Sequence, residues 1–296
     1  MPNVCDVRVR FYQPSAALRP LFTTFYVTEI VVPDGGRVTD WLHPEWANLR
    51  ICVGDFPDSE VSGSSYGNLA APFTGPTSTT VRFTVGTVRM WGIGLLPLGW
   101  ARLVGLPAHD YANRIFDAHS EAALAPFRAL VDGVFGPETG GAPDEEAELA
   151  RIEAHFSARM RGVVPDEARI VACHRALVDE DISTVAEMAE AASLPSHTLE
   201  RLCRKHFGFP PRLLLRRQRF MRSLAQYMLD PSLRWIGAID SHYHDQAQFV
   251  RDFHAFMGTS PSEYAAMPHP VLSAVMKARQ EAAGAAVQAL HLPDKG

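Results

Sequence analysis

Nine basic side chains lie between residues 196 and 234: Arg201, Arg204, Lys205, Arg212, Arg216, Arg217, Arg219, Arg222 and Arg234. Only Glu200 and Asp230 oppose them, so nine minus two gives a local charge of +7 in a chain of net charge −5. Cations at this density can neutralise a polyphosphate backbone, although a solvated basic helix would have the same composition. Residues 137–191 carry thirteen Asp and Glu against five Arg, a balance of −8, so the basic block is confined to one stretch. His197, Glu200, Arg201, Gln246, Gln248 and Arg251 are side chains able to read base edges: Arg on guanine, Gln on adenine, Glu on cytosine.

These candidates sit in two copies of one pattern. At a shift of 50 residues Leu199 meets Phe249, Arg201 meets Arg251, Cys203 meets Phe253, Gly208 meets Gly258, Pro211 meets Pro261 and Leu214 meets Tyr264. Each copy begins with a short apolar-patterned helix, Thr184–Ala192 or Leu233–Ile239. A turn follows, then an amphipathic helix expected to be capped by Ser196 or Asp245 and to end at Gly208 or Gly258. Two short helices around a tight turn form the helix-turn-helix plan, whose second helix enters the major groove. A connecting helix, from about Arg212 to Leu229, would hold the two units apart.

Upstream, Leu21–Val32, Asn48–Val53, Thr79–Val85 and Val88–Leu95 are rich in Val, Thr, Phe and Ile and predict strands of a small sandwich or barrel. Ser120–Val134, Asp144–Met160 and Asp166–Val178 have helical spacing, with a loop over Gly136–Pro143. The Ala-rich segment Val271–Leu290 predicts a last helix with no assigned function. The expected division is residues 1–118 as a β-rich sensor, 119–180 as a helical connector and candidate dimerisation segment, 181–267 as the DNA-binding domain, and 268–296 as a tail. The fold class is α+β, with a cupin-like or barrel domain ahead of an all-α domain.

The segments VAEMAEAASLPSHTLERLCRKHFGFPP, LLLRRQRFMRSL and HYHDQAQFVRDFHAFMGTSPSEY together resemble the DNA-binding domain of AraC/XylS-type transcription regulators. The match runs from about Asp181 to Met267, and each copy is followed by Gly-x-x-Pro. The resemblance implies a sequence-specific regulator that reads two adjacent major-groove segments under the control of an N-terminal sensor. It implies base contacts from His197, Glu200, Arg201, Gln246 and Arg251. Lys205, Arg212 and Arg216 look like phosphate contacts, while Arg204 and Gln248 share the solvent side of the recognition helices with the base readers. The implied partners are double-stranded DNA, a small-molecule effector, RNA polymerase for an activator, and a second copy of the chain in a homodimer. The sequence departs from the pattern in three places. His242–Tyr243 replaces a common Gly-Phe, a turn in which His would have to tolerate positive φ. Cys203 replaces an aromatic, which predicts a less filled core, and Ala265 stands where many members have Arg.

Other chemistry finds little support. Cys173-His174-Arg175 resembles the Cys-His-Arg of DNA alkyl-transfer proteins but lies in an apolar helical context, which favours a structural Cys. His242 and His244 lack further ligands for a metal, Gly92-x-Gly94 lacks the dinucleotide fingerprint, and no Gly-x-Ser-x-Gly is present. The chain is thus expected not to be an enzyme and to need no cofactor. The alternatives are an enzyme localised by a DNA-binding domain and a regulator without an effector. Tyr26, Trp41, Trp46, Phe83 and Trp91 could line a ligand pocket or simply fill a core. The absence of a long apolar run, of a signal-like N-terminus and of paired Cys among Cys5, Cys52, Cys173 and Cys203 predicts a cytoplasmic protein with no membrane partner.

Overall fold

The computed structural model describes residues 5–136, 142–160, 162–230, 232, 234–284 and 286–292, with Arg234 and Ile236 described by backbone alone. The expected loop Gly136–Pro143 therefore lies largely outside the described residues. The N-terminal region is β-rich and the C-terminal region helical. One antiparallel sheet holds, in spatial order, β1 (Asp6–Tyr12), β2 (Phe22–Val31), β9 (Val88–Leu95), β4 (Asn48–Gly54), β7 (Pro72–Thr74) and β10 (Ile115–Asp117). The second orders β3 (Val38–Leu42), β8 (Val81–Val85), β5 (Asp58–Val61) and β6 (Ser64–Tyr66). Ile30, Cys52 and Met90 of the first sheet share an apolar cluster with Val38, Phe83 and Val85 of the second.

The central strand β2 is buried on both faces, which explains its continuous apolar run rather than an alternating one. Helix α1 (Pro97–Leu103) lies between β9 and β10, and α2 (Arg128–Gly133) and α3 (Glu145–Ser157) follow β10. The rings of Phe22 and Phe156, on β2 and α3, lie 4.5 Å apart. Glu148 of α3 is 2% exposed and receives Arg89 at 2.6 and 3.0 Å and the Trp91 indole at 2.6 Å. Such a bidentate, charge-assisted pair fixes orientation as well as position. Ile152 and Phe156 on the apolar side of α3 are therefore covered within the chain, in the segment expected as a candidate dimerisation segment.

Helices α4 (Glu167–Val178), α5 (Val185–Ala191), α6 (Ser196–Leu202), α7 (Pro211–Leu229), α8 (Arg234–Ala238), α9 (Gln246–Met257) and α10 (Pro261–Ala266) form the rest, before α11 (Leu272–Ala283). Thr184 and Glu187 close a capping box at α5, as do Ser260 and Glu263 at α10. Asp245 caps α9, accepting from the Gln248 amide at 2.6 Å. The expected Ser196 cap is not formed: Pro195 occupies the cap position of α6 with no side-chain bond, and Ser196 begins the helix. The Pro195 carbonyl accepts from the Thr198 and Leu199 amides at 2.9 and 3.0 Å, and proline presets the φ of the entry to the helix.

The two halves are joined along a polar and aromatic seam. Arg217 of α7 is fully buried, stacks on Trp46 at 4.1 Å and donates to the Thr77 carbonyl at 2.8 Å. Tyr264 meets His43 at 2.7 Å, and the Thr80 amide donates to the Phe256 carbonyl at 2.9 Å. Gly208 ends the first unit at φ +85°, and a Cβ there would lie 2.6 Å from Pro76, so this glycine serves both the helix end and the seam. The tail beyond α10 returns to the β-sheets. Buried Asp40 accepts from the amides of Val271 and Leu272 at 2.9 and 2.8 Å, and Gln218 of α7 donates to the Ala289 carbonyl at 2.8 Å. Gly92 and Gly94 make room for Tyr26 and Gln288, respectively, which gives the Gly-x-Gly a packing role.

Candidate nucleic-acid interface

The second helix of each unit presents its apolar stripe inward. Leu199, Leu202 and Cys203 are buried in the first, and Phe249, Phe253 and Phe256 in the second. Cys203 does not leave an underfilled core. Its thiol meets the buried Cys173 thiol, and Phe207 packs edge-on against Trp46 at 5.9 Å and near His174 at 6.1 Å. Trp46 of the β domain thus packs on the same turn that carries Cys203. Burial also leaves Cys173 in a packing role rather than a reactive one. The chain after α6 widens into a π-helical turn over Cys203–Phe207.

The opposite faces carry the expected polar side chains. His197, Arg201 and Arg204 are exposed on and just beyond α6, and Gln246 and Arg251 on α9. Among the described residues neither Arg201 nor Arg251 takes part in an ion pair. Glu200 accepts from Arg204 at 2.8 Å, an exposed i,i+4 pair that DNA can displace at little cost. Lys205 is half-buried beside His206.

Between the two units lies a cleft of about 500 Å³. It gathers four of the expected residues, Arg212, Arg216, Gln248 and Arg251, and adds Arg219 and Arg222. His197, Glu200, Arg201, Arg204, Lys205 and Gln246 do not line it. The cleft is organised by a residue that sequence reading did not single out. Asp252 is 2% exposed and receives Arg216 at 2.6 Å, Arg219 at 3.1 Å and the Tyr243 hydroxyl at 3.0 Å. Arg219 also lies over the Tyr243 ring at 4.2 Å. Tyr243 is the residue that follows His242 in the atypical turn. His242 does not adopt positive φ, so the turn closes without the backbone that glycine would favour. Instead its amide bonds Asp240 at 2.9 Å, and Asp240 holds Arg222 at 2.5 Å.

The structure therefore sorts the basic block into three groups. Arg201, Arg204 and Arg212 are exposed, whereas Arg216, Arg219 and Arg222 are arranged around buried carboxylates at the cleft wall. Arg217 belongs to the interdomain seam and contributes no surface charge. The α7 helix of 19 residues spans about 28 Å at 1.5 Å per residue, comparable with the roughly 34 Å between successive major-groove segments.

Residues 188–267 match the family model described as a helix-turn-helix domain. No curated protein matches the sequence. Among solved structures, the chain is similar to ToxT from Vibrio cholerae O395, at 13% identity and a TM-score of 0.41, over 88% of this chain and 97% of that one. It is also similar to the AraC-like transcriptional activator CuxR, at 14% identity and a TM-score of 0.30, over 76% and 89% of the two chains. Among the described residues no helix is long and apolar enough to cross a membrane. With paired units, an Arg-lined cleft and the family match in the same region, residues 188–267 form a helix-turn-helix domain of the DNA-binding kind.

Proposed function

We propose that the chain is an AraC-type transcription regulator that reads two successive major-groove segments on one face of DNA, with α6 in one and α9 in the next. The observation that carries this reading is the pair of exposed arginines, Arg201 and Arg251, at equivalent positions of the two units and free of ion pairs among the described residues. His197, Glu200, Arg204, Gln246 and Gln248 flank them as further groups able to reach base edges, while Lys205, Arg212 and Arg216 hold the backbone between them. The β domain acts as an effector sensor in a cytoplasmic regulator, and binding of the effector changes the grip on DNA through the seam around Arg217 and Trp46.

Replacing Arg201 or Arg251 by Ala is expected to weaken the preferred site by about 1–3 kcal/mol and to relax preference at one base position. Arg212→Ala should weaken all sequences alike, because a phosphate contact positions without specifying. Binding assays over a site substituted base by base measure both. An equal loss on every sequence for Arg201→Ala and Arg251→Ala would remove their base-reading role.

A further inference from the structure

A cavity of about 120 Å³ lies between the two β-sheets and α11 of the tail. Tyr26, Phe83 and Met90 line it from the sheets, and Val275 and Met276 from the tail. Three fixed charges also line it: Glu45, Arg50 and Arg279. Glu45 and Arg50 cancel through a 2.7 Å ion pair. Arg279 is 5% exposed, donates one bond to the Thr24 hydroxyl at 2.9 Å, and leaves Nε and Nη2 without partners. No ion pair to Arg279 occurs among the described residues. Desolvation pulls its pKa down only to about 10, so it stays cationic at neutral pH. His43, also lining the cavity, is neutral there because burial pushes its pKa down to about 3. Two cations against one anion leave the walls with a net charge of +1. Two further lining atoms, His43 Nδ1 and Gln288 Oε1, are buried without partners.

A buried guanidinium whose nearby carboxylate, Glu45, is already paired with Arg50 is costly, and proteins rarely keep one unless something further answers it. The apolar walls and the single positive charge define the complement. We propose that this cavity binds a small apolar monocarboxylate and that Arg279, on the tail outside the helix-turn-helix domain, is the residue that reads the carboxylate. The volume is well below the roughly 300–1,000 Å³ of sites for drug-sized ligands, which limits the apolar body to a short chain or one small ring. The proposal rests on the reading of the β domain as a sensor. It makes the tail part of that sensor, tied to the sheet through Asp40 and to α7 through Gln218.

Calorimetric titration of the full chain with hexanoate, with 1-hexanol as a neutral probe of equal length, tests it. Hexanoate should bind at least tenfold more tightly than hexanol. Arg279→Met should weaken hexanoate by roughly 10- to 100-fold, the range of a charge-assisted hydrogen bond, and leave hexanol unchanged. Arg279→Lys should retain most of the preference, which separates loss of charge from loss of folding. No hexanoate binding, equal affinity for the two probes, or full hexanoate affinity in Arg279→Met would each overturn the assignment. DNA affinity measured with and without hexanoate addresses the sensor reading separately: Arg279-dependent binding with unchanged DNA affinity would overturn the sensor role and leave the carboxylate site standing.

Discussion

Asp252→Ala is expected to destabilise the second helix-turn-helix unit by about 3–5 kcal/mol and to weaken specific DNA binding by more than tenfold. The carboxylate is buried and holds Arg216, Arg219 and the Tyr243 hydroxyl at once. Removing it leaves Arg219, whose side chain is 13% exposed, with an uncompensated charge in a largely dry site. It also frees Tyr243, which packs edge-on against Phe249 at 5.5 Å and so helps close the turn onto the α9 core. Urea unfolding of the full-length variant should show a transition at lower denaturant than wild type, and DNA affinity should fall by more than tenfold. Wild-type midpoints together with wild-type affinity would mean that the three-donor cluster is not what organises the cleft.

The second large effect is acid lability in the range where carboxylates are still ionised. Burial pushes His43 and His174 down to about 3, His43 with a further push from the nearby charge of His269 and His174 from His291 and Arg217. An unfolded histidine titrates near 6.5. Below pH 6.5 the unfolded chain therefore takes up protons that the folded chain refuses. The stability these two residues contribute is complete above pH 6.5 and is lost progressively as the pH falls toward 3. At about 1.4 kcal/mol per pH unit and per group, pH 5 costs about 2 kcal/mol for each. His206 and His291, pushed down by burial to about 4, act in the same direction. His43 meets Tyr264 of α10, and His174 packs against Trp46 and Phe207, so the loss falls on the seam between the β domain and the DNA-binding domain. Unfolding free energies at pH 7.5, 6 and 5 measure it. A flat profile across that interval would contradict buried neutral histidines at the seam.

The sequence made some of this legible for identifiable physical reasons. The central strands β2, β4, β8 and β9 stood out through β-branched and aromatic residues, whereas β5 and β6, with Asp58, Ser59, Ser64 and Ser65, are short and polar and carry no such signal. The recognition helices stood out because two copies share a register. The helix-turn-helix fold constrains apolar positions and turns, which one sequence displays directly. Individual partnerships are not displayed. Asp252 reads as one acidic residue on an amphipathic helix, and only the folded chain brings Arg216 and Arg219 to it from α7. Arg217 counted toward the basic block because composition cannot distinguish an arginine facing DNA from one stacked on Trp46. The tail was given no function because its Ala-rich pattern has few large apolar residues, yet Arg279 and Gln288 anchor it in the interior. The Tyr26 and Phe83 rings line the cavity while Trp46 and Trp91 are core, a division that depends on strand register rather than residue type.

The paired reading of DNA by α6 and α9 is tested most directly by selecting bound sequences from a random duplex library with the purified full chain. One protein carries two reading helices on a rigid connector, so the selected sites should contain two short determinants with centres about 10–10.5 base pairs apart. Arg201→Ala should erase information in one determinant and Arg251→Ala in the other. Selected sites with a single determinant, or loss in the same determinant for both variants, would contradict it.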